Sequence, residues 1–329
     1  MKKKNQPDTL LICAPFFSYH IYIIDEINSS ERNVVWWSDR ISEKSLYKIL
    51  LRIFPKVVAR LSRGCFEGKA RLLEKKYIRN VLVVKGEGLS VATVKSLQYS
   101  MPNARFHLYL WDGLENVCGA AEIAPFFDTV STFDPEDAKS FGWHYRPLFA
   151  RKTGSTPKLS IDRWKYDFVF IGSLHSDRYK ILRSLVSNSV HLASFVYGFI
   201  PGKLSWCLRH LIDWSLWRPG SIKISTVPLT LQAIGQIVDE ARAVVDIEHP
   251  RQRGLTMRTI ETLMAHRKLI TTNPNVGDTD LFDKSRVCII DRNDPVIPEK
   301  FLDTPFLPIP FSVRKRYSIR SWTNEILEH

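Results

Sequence analysis

Apolar runs of strand length alternate with segments of helical spacing along most of the chain. The run "TLLICAPFF" predicts a first strand, with a helix after it over Tyr19 to Asn28, and "NVVWW" predicts a second strand. Residues 43–79 are helical in pattern, with apolar positions at Leu46, Leu50, Ile53, Val57 and Leu61. Pro55 is expected to kink or split that segment, because proline has no amide to donate inside a helix. "VLVVKGEG" predicts a strand that ends in a glycine turn, Val91–Ser100 a short helix, and "RFHLYLWDG" and "FDTVSTF" two more strands. Asp134-Pro135 marks a helix start, since proline suits the first helical position.

Residues 150–163, "ARKTGSTPKLSIDR", are polar and rich in turn formers, which makes them the best linker candidate. A second series follows. "YDFVFIGSLHSDRYKILRSL" reads as strand, glycine turn and helix, "VHLASFVYG" and "SIKIST" as strands, "PLTLQAIGQIVDEARA" as a helix and "VVDI" as a strand. "KLITTN" and "VCIIDR" close the series as strands, and "YSIRSWTNEIL" is helical in pattern. Alternation of strand and helix in both halves argues for α/β architecture, with two parallel sheets covered by helices on both faces. Such domains are expected to face across a cleft, because open α/β sheets bind ligands at the C-terminal ends of their strands.

A length of 329 residues permits two domains of ordinary size, and 44% hydrophobic with 25% charged residues is ordinary for a globular chain. The formal net charge of +13 points to an anionic partner: nucleic acid, an acidic membrane face or a phosphorylated ligand. A solvated basic surface has the same composition. Zinc-finger spacing, an RNP-like segment and a long basic tail are all missing, which argues against nucleic acid. Five scattered cysteines, Cys13, Cys65, Cys118, Cys207 and Cys288, contain no CxxC pair. That pattern suits a reducing compartment without structural zinc. The start "MKKKNQPDTLLICAPFF" imitates a signal peptide, but Pro7 and Asp8 interrupt it, and a first strand is the better reading. No apolar run reaches the length of about 18 residues expected of a membrane span.

Candidate chemistry sits in the turns. "HPRQRGLTMRTIETLMAHRKLITTN" (His249–Asn273) places Gly254, which allows backbone geometry closed to other residues, before a helix expected to start near Leu255 or Thr256. The free amides of a first helical turn and the helix dipole favour an anion. Arg258 could add a bidentate phosphate contact, and the Glu261 carboxylate could accept from two ribose hydroxyls. A plain capped helix with an Arg258–Glu261 ion pair has the same spacing. "FIGSLHSDR" repeats the arrangement, with Gly172 and Ser173 in the turn and His175 or Arg178 within reach of a phosphate; a simple strand-to-helix turn needs the same glycine. "KGEG" and "WDG" put Glu87 and Asp112 at strand ends, where either could act as a general base or as a turn-forming acid. His20 is a third candidate base or a structural histidine. Asp278-Thr279-Asp280 spells a DxD metal motif, or a helix start.

Lys44, Lys48, Arg52, Lys56 and Arg60 recur every four residues, followed by Lys69, Arg71, Lys75, Lys76 and Arg79. A basic amphipathic segment of this kind suits an anionic membrane or a lipid diphosphate, or a solvated helix face. Trp206, Trp214 and Trp217, beside Arg209 and Arg218, suit a membrane interface or a buried helix.

The run "VVDIEHPRQRGLTMRTIETLMAHRKLITTN", together with "FVFIGSLHSDRYKIL", "KGEG" and "YLWD", resembles a family of bacterial polysaccharide-biosynthesis glycosyltransferases from capsule, exopolysaccharide and O-antigen clusters. It is distantly similar to the CgeB-type spore-maturation group. The resemblance spans nearly the whole chain, is strongest over Asp246–Asn273 and is weak in the basic helices. It implies a GT-B fold of two Rossmann-like domains. Residues 1–155 would form the acceptor-side domain, 156–312 the donor domain, and 313–329 a helix crossing back to the first.

By the same resemblance Thr256, Met257 and Arg258 would meet the donor diphosphate, and Gln252, Gly254 and Leu255 in the preceding turn would also bind the donor. Glu261 would hold the ribose, and Pro228 and Leu229, in the turn Ser225–Leu229, would flank the base. The usual EX7E spacing of many retaining members is absent, which leaves the stereochemistry open. No bound metal or cofactor is implied. The expected activity is hexosyltransferase-like: a sugar moves from a nucleotide diphosphate donor to a growing surface glycan on a lipid carrier. The expected place is cytoplasmic, peripheral on the inner membrane. Asp112, then Glu87, would be the base. Two alternatives stay open: a nucleotide-sugar epimerase or hydrolase on the same fold, and a non-catalytic lipid- or nucleic-acid-binding protein.

Overall fold

The computed structural model describes residues 8–30, 32–73, 77–151, 164–200 and 222–328. Their described parts divide into two compact units, Met1–Arg151 with Gln252–Gly254 and Arg316–His329, and Lys152–Arg251 with Leu255–Lys315. Most of the expected linker, the expected boundary at 155/156 and the tryptophan-rich segment 202–220 lie outside the described residues. Among the described residues no helix is long and apolar enough to cross a membrane.

The first unit holds strands β1 (Thr9–Cys13), β2 (Val34–Trp37), β3 (Asn80–Val84), β4 (Arg105–Leu110), β5 (Thr129–Thr132) and β6 (His144–Tyr145). They form one sheet in the order β2-β1-β3-β4-β5-β6, parallel at every pairing. All five residues of β1 are buried, the mark of a strand covered on both faces. Helices α1 (Tyr19–Ser29), α2 (Ser45–Ile53), α3 (Pro55–Arg71) and α4 (Val91–Ser100) fall between the first four strands.

Pro55 does split the basic segment: α2 ends before Phe54, and Pro55 occupies the first turn of α3. The Asp134 side chain caps the helix Pro135–Phe141, taking the Glu136 amide at 3.0 Å. Strand β6 was not anticipated, because two residues are too short to show a period. The closing helix Ile319–Glu328 belongs to this unit. Its Trp322 is buried edge-on against Tyr109 at 4.8 Å, and Arg146 ion-pairs with Glu325 at 2.8 Å.

The second unit holds β7 (Tyr166–Ser173), β8 (Ser194–Phe199), β9 (Ile222–Ser225), β10 (Ala241–Asp246), β11 (Lys268–Thr271) and β12 (Val287–Ile289). Their order is β12-β11-β10-β7-β8-β9, again parallel throughout. The chain steps outward from β7 to β9, then returns to lay β10 on the other side of β7. That reversal is a topological switch point, and the first sheet has its own between β1 and β3.

Candidate functional site

At the second unit's switch point Asp246 ends β10 and is buried. Its Oδ2 accepts from the Thr256 hydroxyl at 2.5 Å and from the Thr259 hydroxyl at 2.7 Å. Thr256 is the N-cap of the helix Met257–Met264, its Oγ1 accepting from the Thr259 amide at 3.0 Å. The cap serves the third amide of the helix. The Met257 and Arg258 amides before it have no capping side chain among the described residues and remain donors at the positive end of the helix dipole.

Arg258 reaches from this helix to β7, where its Nη2 donates to the Ile171 carbonyl at 2.5 Å. Its Nη1 stands 3.7 Å from Asp246, and the guanidinium lies 5.3 Å from the centre of the Phe170 ring. A β-carbon at Gly172 would sit 3.0 Å from that guanidinium, so the glycine makes room for the arginine. The side chain is 30% exposed and keeps an open side. Two sequence motifs 86 positions apart, at Gly172 and Arg258, thus meet at one point.

Other expected donor residues take different places. Arg178 is buried and acts as a brace, with Nε donating to the Ile247 carbonyl at 2.6 Å and Nη1 to the Ser173 carbonyl at 3.1 Å. Burial, then the neighbouring charge of Arg258, pulls its pKa down to about 10. Ser173 supplies a carbonyl here, and the His175 ring lies 5.8 Å from that of His249. Leu255 is buried, whereas Met257 and Glu261 are half-buried on the helix. Pro228 is exposed and Leu229 half-buried after β9, and β8 separates that strand from β7.

Gln252 and Gly254 group with the first unit. Gly254 was expected to supply unusual backbone geometry before the helix, but its φ is not positive. The residue is glycine because a β-carbon there would come 2.6 Å from the Phe133 ring and 2.7 Å from the Phe133 carbonyl oxygen. The Gln252 side chain donates to the Gly254 carbonyl at 3.2 Å.

Sequence reasoning missed a network beside this seat. Arg292 pairs with Asp177 at 2.8 Å and with the buried Glu248, and Glu248 accepts from the Thr272 hydroxyl at 2.5 Å. Arg292 holds the Asp177 carboxyl below the usual carboxylate range. No local spacing signals this set, because its members come from four separate strand ends and loops.

The first unit's switch point is acidic. Lys85 follows β3 with a left-handed φ of 71°. Its ammonium lies 2.9 Å from Asp112 and 3.6 Å from Glu87, so it bridges both expected bases. Burial opposes the Lys85 charge, but Asp112 and Glu87 more than offset it, and its pKa stands above the ordinary lysine value. Glu87 also accepts from Arg40 at 2.7 Å.

Beside them Asp39 is fully buried, and among the described residues neither carboxylate oxygen has a hydrogen-bond partner. The nearest guanidinium nitrogen, Arg40 Nε, is 3.7 Å away. Burial first, then the charge of Glu87, pushes the Asp39 pKa up to about 6 despite Arg40 and Lys85. A β-carbon on Gly88 would fall 2.0 Å from the Asp39 carbonyl oxygen, so that glycine lets the loops after β2 and β3 touch. His20 lies 4.7 Å from the Trp36 ring, and burial lowers its pKa. Asp39 and Arg40 follow "NVVWW" after one serine, a strand end comparable to those that carry Glu87 and Asp112.

No protein-family model matches the chain, and no curated protein matches it. Solved structures do match over nearly its whole length. HepE of Anabaena in complex with UDP aligns over 98% of both chains at 10% identity, with a TM-score of 0.58. The UDP-GlcNAc 2-epimerase from Neisseria meningitidis, bound to UDP-GlcNAc, covers 97% of this chain and 98% of its own at 10% identity, with a TM-score of 0.53. The glycosyltransferase SnogD from Streptomyces nogalater covers 98% and 96% at 11% identity, with a TM-score of 0.51. The fold is of the GT-B type. At these identities the likeness is one of fold: two Rossmann-like units, each with a six-stranded parallel sheet.

Proposed function

We propose that this protein is a glycosyltransferase that moves a sugar from a nucleotide diphosphate donor onto a growing bacterial surface glycan. The observation that carries the reading is the seat between β7 and β10: two uncapped amides and a partly exposed guanidinium converge there. In glycosyl transfer the anomeric carbon acquires oxocarbenium character while negative charge builds on the departing diphosphate. The Met257 and Arg258 amides and the Arg258 guanidinium stabilise that charge without a metal ion, and they are already oriented before reaction. Glu261, one turn along the same helix, accepts from the ribose hydroxyls, and the loop at Pro228 and Leu229 flanks the base. Asp112 takes the proton of the acceptor hydroxyl, held in place by Lys85 at 2.9 Å. Glu87 is the second choice, because Arg40 as well as Lys85 already draws on its carboxylate.

The acceptor is a glycan on a lipid carrier, and the enzyme works as a peripheral protein on the cytoplasmic face of the inner membrane, consistent with the basic first unit. Support for a nucleotide donor comes from two structures of this fold, HepE with UDP and the epimerase with UDP-GlcNAc. A thermal-shift screen against UDP, GDP, CMP and TDP and their sugars tests the reading. One nucleotide series should raise the melting temperature; no shift with any of them would overturn it. The epimerase likeness supports a second reading, in which donor is converted without an acceptor. Incubating purified protein with donor alone separates the two, since turnover under that condition favours the epimerase or hydrolase.

A further inference from the structure

We propose that α2 and α3 form a surface that docks on an anionic lipid bilayer. Helix α3 has three faces at a period of 3.6 residues. One is buried and carries Val58, Ala59, Ser62, Phe66 and Ala70. About 120° round the helix, a second apolar stripe runs through Val57, Leu61 and Cys65 to Leu72, just past the helix end. All four of these residues are exposed, Leu61 at 75% and Leu72 at 77%. Ile49 and Ile53 on α2, and Phe54 at the junction, extend the exposed apolar area, each more than half exposed at 52%, 60% and 56%. An ordinary surface helix turns one apolar stripe inward and leaves the rest polar; α3 has a stripe to spare.

The third face is charged and carries Lys56, Arg60, Arg63, Glu67 and Arg71, four cations and one acid. Two of the cations are tied locally, Lys56 to Glu122 at 2.7 Å and Arg63 to Glu67 at 2.6 Å, while Arg60 and Arg71 are exposed. An apolar stripe flanked by cations matches the boundary between acyl chains and anionic headgroups. The same cations favour an anionic occupant over a second copy of a chain whose own net charge is +13. The proposal deepens the lipid-linked acceptor reading above by naming the surface that would bring the protein to its substrate.

Flotation of the full chain with vesicles tests it. Vesicles of phosphatidylglycerol mixed with phosphatidylcholine should carry the protein up, and pure phosphatidylcholine vesicles should not. The double change Val57→Glu with Leu61→Glu touches only exposed positions, so the fold should survive, and bound protein should fall about tenfold or more. Arg60→Glu with Arg71→Glu should weaken binding and flatten its salt dependence. Wild-type binding by the Val57/Leu61 variant overturns the proposal. So does a dimer in solution that this variant converts to monomer while vesicle binding stays unchanged. The thermal shift with the nucleotide that stabilises the wild type, read on the same samples, should be identical in every variant. A protein that binds vesicles and ignores every nucleotide refutes the glycosyltransferase reading and leaves the docking surface standing.

Discussion

Asp39 and Asp246 are both buried aspartates at strand ends beside a switch point, one in each unit, and they are served very differently. Asp246 receives two threonine hydroxyls and has the Arg258 guanidinium 3.7 Å away. It anchors the turn that presents the helix Met257–Met264. Among the described residues Asp39 has no hydrogen-bond partner for either oxygen, and its pKa is pushed up to about 6. Buried carboxylates are normally hydrogen-bonded, and leaving one without partners costs stability. One sheet plan has thus been used twice. The second unit surrounds its aspartate with hydroxyls and a guanidinium at the start of a helix. The first gathers carboxylates around Lys85 and Arg40 and tolerates one that is poorly served.

If the units divide the labour in this way, substitutions should separate catalysis from donor binding. The largest effect is expected from Asp112→Asn, which should lower kcat by about 10²–10⁴-fold while the thermal shift with the stabilising nucleotide stays as in wild type. Loss of that shift would show that the acidic cluster also holds donor. Next comes Arg258→Ala, expected to cut transfer by about 10²–10³-fold and to abolish the shift, with an unchanged circular dichroism spectrum. Activity at the wild-type level would remove the anion seat from the mechanism.

Asp39 should report through pH. Its carboxyl titrates near 3.9 in an unfolded chain and near 6 when folded. The folded state therefore binds more protons between those values, and stability should fall as pH rises through that window. Asp39→Asn removes the charge and should stabilise by roughly 2–3 kcal/mol above pH 6, with the gain fading toward pH 4. A difference in melting temperature that does not vary with pH would mean that Asp39 has partners in solution. The smallest effect is expected from Gly254→Ala, whose methyl must displace both the Phe133 ring and the Phe133 carbonyl, at a cost of about 1–3 kcal/mol. An unchanged melting temperature would show that this turn is looser than its 2.6 Å clearance implies.

Much of the plan was legible because the signals are local. Strands covered on both faces read as continuous apolar runs, as in "TLLIC" and "DFVFI". Pro55 and Asp134-Pro135 act on their own neighbours, and the structure has the break and the cap there. The helix start at Thr256 announced itself in the same way.

Local rules also misled where a residue answers to a distant partner. Gly254 invited an account in backbone conformation, but it is small because of Phe133, 121 positions earlier. Arg178 is spent on the Ile247 carbonyl, and the network around Arg292 left no trace in spacing. The order of residues therefore determined the strands, the helices, their parallel pairing and the basic helix pair, since periodicity, caps and charge act within a few residues. Only the tertiary structure decided which cation lies beside which carbonyl, which carboxylate goes unserved and which apolar stripe stays uncovered. Those outcomes depend on distances that close only when β10 returns to lie against β7 and β3 against β1.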